Sequence, residues 1–283
     1  MTNIANHIKT FLTLMLLLIF INTFSQDMSV SPTRLYFDNA PGETKNKTVK
    51  ITNNSEQSIS FNIKFSDFSA TGSKGKSDIS KTINEDDPNG LAKYLSVSPT
   101  FIELGPKEIK DVNVSLYLPA DPESENVKWA AMSIVQTKER ISPSEEKDAS
   151  KMGMGIVPVM GFVIHIFQTP PSVAKNIDMK KAQIISFKQI YNEADSNYKF
   201  ILEAENIGKA ILDCASFVEL TNLNTGKNQR LKPIPFTLLP NARREVIFSI
   251  PNEFPKGKYS VMGIIDYRGK EVEAAEIEDF IIK

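Results

Sequence analysis

The chain has 283 residues, with 33 Lys and Arg against 34 Asp and Glu, and a sequence pI near 6.2. A near-neutral balance without Lys/Arg clusters excludes nucleic acid and anionic membrane surfaces as partners. Its one cysteine, Cys214, excludes an intramolecular disulfide.

The chain opens on an address. Phe11–Ile21 is apolar apart from Thr13 and would span only about 16 Å as a helix, against a hydrocarbon core of about 30 Å. Small residues at Thr23 and Ser25 suit signal-peptidase cleavage after Ser25; an uncleaved anchor is the alternative. With residues 1–25 removed, the remainder has the length of two domains of about 100–150 residues each and carries no integral membrane segment. The mature chain is expected to be periplasmic or otherwise exported.

Ser29–Phe37 reads as a first strand, with Pro32 marking an edge or a switch between sheets. Asn39-Ala40-Pro41-Gly42 is a turn. In Thr48–Phe65, Val49 and Ile51 and then Ile59, Phe61, Ile63 and Phe65 alternate with polar residues on either side of Asn53-Asn54-Ser55. That spacing predicts a hairpin of two half-buried strands. Ser66–Lys93 is polar and too long for an ordinary loop, so it is a disordered stretch or a functional excursion. Val112, Val114 and Leu116 mark a further strand, and Val127–Gln136 carries the only tryptophan, Trp129. Thr137–Gly155 is a second long polar loop, followed by Ile156–Gln168, a strand apolar on both faces.

Pro170-Pro171 with Ser172–Lys175 separates two runs of strands. The second run opens at Asp178–Phe187 and then repeats the first. Lys199–Leu220 aligns Asn206 with Asn53. Leu238-Leu239-Pro240 echoes Leu104-Gly105-Pro106, and Tyr259–Met262 echoes Trp129–Met132. Three matched blocks in one order indicate an internal duplication. A last strand falls at Ala274–Ile282. The fold class is therefore all-β: two tandem immunoglobulin-like sandwiches, residues 26–171 and 176–283.

The segment SPTRLYF, a Pro-Gly turn and TVKITNNS together resemble the opening of PapD-like periplasmic pilus chaperones. The order of blocks is equally similar to the WxL-interacting proteins, which pair two such domains. The resemblance implies a PapD-like first sandwich and a protein client. In pilus chaperones an Arg and a Lys near the domain junction hold a subunit's C-terminal carboxylate. Arg34 stands near the place of the first; Val157–Thr169 has no Lys or Arg, and His165 is the nearest substitute.

The candidate partner-binding residues are Arg34, Phe162, Ile164, His165 and Ile166. Arg34 can clamp a carboxylate bidentately, or it is a solvated strand residue. The strand holding the other four is central and buried, or an edge that joins a partner's sheet by strand addition. Phe162, Ile164 and Ile166 face one side; Val163, His165 and Phe167 face the other. On the edge reading, Lys at Ile164 weakens capture and spares the fold. Glu85-Asp86-Asp87 lacks the spacing of a calcium loop, Met152, Met154 and Met160 flank a glycine-rich bend, and Cys214 reads as a small buried hydrophobe. With one histidine beyond the leader and no G-x-S-x-G, H-E-x-x-H or phosphate loop, neither catalysis, cofactor nor metal is expected. The expected partner is an envelope or surface protein client; the alternative is cell-wall polymer.

Overall fold

The computed structural model describes residues 28–79, 87–137, 161–192, 197–251 and 254–282. The first half holds β1 (Met28–Ser31), β2 (Arg34–Phe37), β3 (Thr44–Asn53), β4 (Ile59–Ser66), β5 (Ser69–Thr71), β6 (Lys76–Asp78), β7 (Leu95–Ser98), β8 (Phe101–Leu104), β9 (Ile109–Tyr117), β10 (Lys128–Gln136) and β11 (Gly161–Gln168). A sheet ordered β1-β3-β9-β7 faces one ordered β2-β11-β10-β4-β8, and β5 pairs only with β6. The alternating residues of the two sheets meet in one core: Val49 and Ile51 from β3, Val112, Val114 and Leu116 from β9, Phe61 and Ile63 from β4, Met132 and Ile134 from β10. Each such side chain contributes about 1.5–3 kcal/mol by leaving water.

The second half holds β12 (Ala182–Asn192), β13 (Asn197–Asn206), β14 (Leu212–Asn222), β15 (Asn228–Arg230), β16 (Ile234–Leu238), β17 (Arg243–Ser249), β18 (Gly257–Asp266) and β19 (Glu273–Ile282). A three-stranded sheet, β12-β13-β17, packs on a five-stranded one, β15-β14-β18-β19 with β16 also on β14. Phe200, Leu202, Val218, Leu220, Phe248 and Val261 build its separate core. The molecule is thus two immunoglobulin-like sandwiches. A short helical turn, Pro171–Ala174, stands between their strands. Strand β12 begins four residues later than the opening at Asp178 predicted from sequence, because Ile177–Met179 winds into a turn capped by Asn176.

The predicted hairpins are not hairpins. Strands β3 and β4 lie in opposite sheets, as do β13 and β14. Alternation says that a strand turns its apolar face to a core; it does not say which strand sits beside it. In both repeats the chain instead arches across the sandwich, and one buried asparagine ties the corner. Asn53 Nδ2 donates to the carbonyls of Gln57, Leu104 and Gly105, and its Oδ1 accepts from Ser55 N. Asn206 Nδ2 donates to Ala210 and Leu238, and its Oδ1 accepts from Gly208 N. The facing turns match too, with Lys107 and Asn241 both at positive φ after the proline.

Pro32 does mark a switch: β1 belongs to the four-stranded sheet and β2 to the five-stranded one. The same five residues, Ser-Val-Ser-Pro-Thr, recur at 29–33 and 96–100. The second copy carries β7 into β8 in the same way, at the opposite edges of the two sheets. Both Ser–Pro bonds are cis.

Candidate functional site

Strand β11 has unequal halves. Along its whole length it pairs antiparallel with β10, from Gly161 opposite Val135 to Gln168 opposite Lys128. On the other flank β2 runs parallel to it only from His165, opposite Arg34, to Gln168, opposite Phe37. The first bond of that flank is His165 N donating to Thr33 O. In a strand, the N–H and C=O of every second residue point the same way. Those of Gly161 and Val163 therefore point past the start of β2, where no strand lies among the described residues. Val163 is 39% exposed there, and Val135 (42%) and Phe101 (51%) lie on the same outer face of the sheet.

The opposite face of β11 belongs to the core. Ile164 is 1% exposed and Ile166 0%, and Phe162 packs half-buried against the same cluster. The side chains of these three turn inward, away from Arg34 and His165. A Lys at Ile164 would bury a charge among aliphatic groups and would not spare the fold. That corrects the expectation drawn from sequence. Residues 138–160, including Met152, Met154 and Met160, lie outside the described residues, as do Glu85 and Asp86.

At its paired end the outer face of β11 meets the second sandwich. A cleft of about 230 Å³ is lined by Arg34, Phe68, Gly75, Ser77, His165, Phe167, Thr237, Leu239 and Arg244. Its floor is apolar: Phe68, Ala131 and Phe167 of the first sandwich bury against Leu239 of the second. Tyr36 stacks on Phe167, with ring centroids 5.5 Å apart. His165 lies edge-on to Phe68, and its Nε2 is 2.9 Å from Ser77 Oγ. Burial, reinforced by the charge of Arg34, holds the imidazole pKa below its ordinary value. Arg34 Nη1 donates to Thr237 Oγ1 (3.0 Å), which in turn donates to Asp213 Oδ1 (3.2 Å). The guanidinium is thus oriented from the second sandwich. Arg244 crosses over the ring of Phe236, 5.4 Å from its centroid, to reach the same cleft.

The polar stretch after β4 supplies the roof. Strands β5 and β6 form a hairpin, and Glu245 N on β17 donates to Ser73 O at its tip (2.6 Å). These strands escaped sequence reading because each is three residues long and mostly polar. The structure brings together Arg34 and His165, two of the five residues singled out from sequence. It adds Arg244, Thr237, Ser77, Phe68 and Phe167.

Other features of the sequence fall into structural places. Trp129 is half-buried between the sandwiches, with Nε1 donating to Phe68 O (2.8 Å). It offers no open platform for a sugar ring. Lys128 is buried, its Nζ donating to Pro88 O. Cys214 is buried, and desolvation pushes its thiol pKa up to about 12. Among the described residues no helix is long and apolar enough to cross a membrane, and no three metal-ligating side chains cluster.

No family model and no curated protein matches the chain. Solved structures do. A chain of the CsuC–CsuE chaperone–tip adhesion subunit complex from Acinetobacter baumannii Csu pili is 12% identical, covering 90% of this chain and 100% of that one, with a TM-score of 0.45. The E. coli chaperone DraB is 14% identical over 88% of this chain and 98% of its own (TM-score 0.41). The Pseudomonas aeruginosa chaperone CupB2 is 15% identical over the same shares (TM-score 0.40).

Proposed function

We propose that this chain is a non-enzymatic, exported binding protein, chaperone- or adaptor-like, whose client is an envelope or surface protein. It captures an extended segment of that client by strand addition along the open flank of Gly161–Ile164, while Arg34 in the cleft holds a carboxylate. The observation that carries the reading is the late start of β2, which leaves the backbone groups of Gly161 and Val163 turned outward. Each hydrogen bond to an incoming strand adds about 0.5–1.5 kcal/mol. The exposed side chains of Val163, Val135 and Phe101 lie on the outer face of the same sheet and supply the apolar contact that backbone pairing alone lacks. Export rests on the character of residues 1–25.

The test replaces Val163 with Pro, which removes an outward N–H that nothing in the described structure uses. Val163→Thr keeps that donor. The experiment is capture of clients from the native envelope, with identification by mass spectrometry and comparison across variants. Val163→Pro is expected to lose the client that wild type and Val163→Thr retain, and Arg34→Ala to weaken it. Equal recovery by all four proteins would sink the reading.

A further inference from the structure

Arg34 and Arg244 line one cleft but belong to different sandwiches, on β2 and β17. Arg34 has a hydroxyl partner in Thr237. Arg244 is half-buried over Phe236, with Gly75 of the hairpin against its stem. Among the described residues its guanidinium has neither a carboxylate within ion-pair distance nor a hydrogen-bond acceptor. Burial first and the like charge of Arg34 second press its pKa downward, and the opposing effect of Cys214 is smaller than either. A partly desolvated cation facing a second cation is an unfavourable arrangement until an anion enters. The remaining polar groups of the cleft, Ser77 and His165, are already bonded to each other.

We propose that the cleft is an anion latch between the two sandwiches, in which one carboxylate is held by Arg34 from the first and Arg244 from the second. Binding then converts the repulsion of two guanidinium groups into two charge-assisted contacts, each able to be bidentate. The ligand becomes part of what fixes the two halves against each other. The hairpin supplies a second, permanent tie, through Glu245 N and Ser73 O. This rests on the carboxylate-binding role given to Arg34 above. It differs in where the second cation comes from: two cations on one sandwich would hold a ligand without involving the other.

The test uses acetate as the probe, exchanged for chloride at constant ionic strength, on the full chain and on Arg34→Gln, Arg244→Gln and Arg244→Lys variants. Dye pairs on Glu103→Cys and Leu223→Cys, exposed positions on the first and second sandwich, report the separation of the two; the buried Cys214 does not compete for label. Acetate is expected to raise Tm and narrow the distance distribution in wild type. Arg34→Gln and Arg244→Gln are each expected to cut the apparent affinity about tenfold, equivalent to roughly 1.4 kcal/mol, and Arg244→Lys by less. Loss of the effect in Arg34→Gln with a full effect in Arg244→Gln overturns the latch and leaves the carboxylate role of Arg34 standing. An acetate effect untouched by either substitution overturns both. Comparing a strand-forming peptide with its C-terminal amide, and with a Glu→Gln version, separates a terminal from a side-chain carboxylate as the source.

Discussion

The two halves of β11 belong to one continuous strand and have opposite fates. His165–Gln168 lies between β10 and β2, and its end is locked: Gln168 Nε2 donates to Asn39 O (2.7 Å) while Gln168 Oε1 accepts from Asn39 N (3.2 Å). Gly161–Ile164 has β10 on one side and no strand on the other among the described residues. The difference does not lie in the strand itself. It is set by where the chain of β1 crosses at Pro32 to become β2, since pairing cannot begin before Arg34 arrives. Edge character is a property of the neighbour, and a strand apolar on both faces is silent about it.

The comparison can be broken most severely from inside. Ile166→Lys places a charge at a fully buried position of the paired half and is expected to cost at least about 4 kcal/mol in urea unfolding. Ile164→Lys should cost a similar amount despite lying in the open half, because the core face is continuous across both. A large gap between these two would mean that the open half is packed more loosely than its burial indicates. Gln168→Ala comes next: it strands two buried main-chain groups of Asn39 and should cost about 1–3 kcal/mol. Val163→Pro should change stability by under about 1 kcal/mol while abolishing capture, since the donor it deletes has no partner among the described residues. A loss as large as that of Gln168→Ala would show that the flank is already occupied.

The smallest effect concerns pH at His165, where the two halves meet. Its folded pKa lies below the ordinary 6.5, through burial first and Arg34 second. The unfolded chain therefore takes up the proton first as pH falls. The neutral imidazole's contribution is complete above pH 6.5, declines as the pH drops from there toward the folded value, and is flat below it. Urea midpoints between pH 7.5 and 5 should show this slope in wild type and lose it in His165→Gln, the common background from carboxylates cancelling in the difference.

Much of this was legible in the alternation of residues: both cores, every long strand and the equivalence of Asn53 with Asn206. The arches read as hairpins in the sequence because period-two spacing fixes the buried face of a strand and leaves its neighbour open. The switch at Pro32 is one of the two options its sequence offers, and the five identical residues around Pro99 mark its repeat at the opposite edges of the sheets. The site was half legible. Arg34 and His165 are close in the first sandwich and could be singled out from one strand each. Arg244 and the hairpin that roofs the cleft could not, since their meeting depends on how two sandwiches lean together, and no local spacing encodes that. Phe162, Ile164 and Ile166 were drawn into the candidate site by their apolar character, which served the core.

The crossing at Pro32 has a further result. Strand β2 and any guest segment would lie end to end along one flank of β11, as successive occupants of a single track. Its length is fixed, so each residue by which β2 began earlier would be one fewer for the guest. The reach of an incoming chain is thus set by a proline in the link between β1 and β2, and shifting that proline along the sequence would retune the dock without altering a residue of β11.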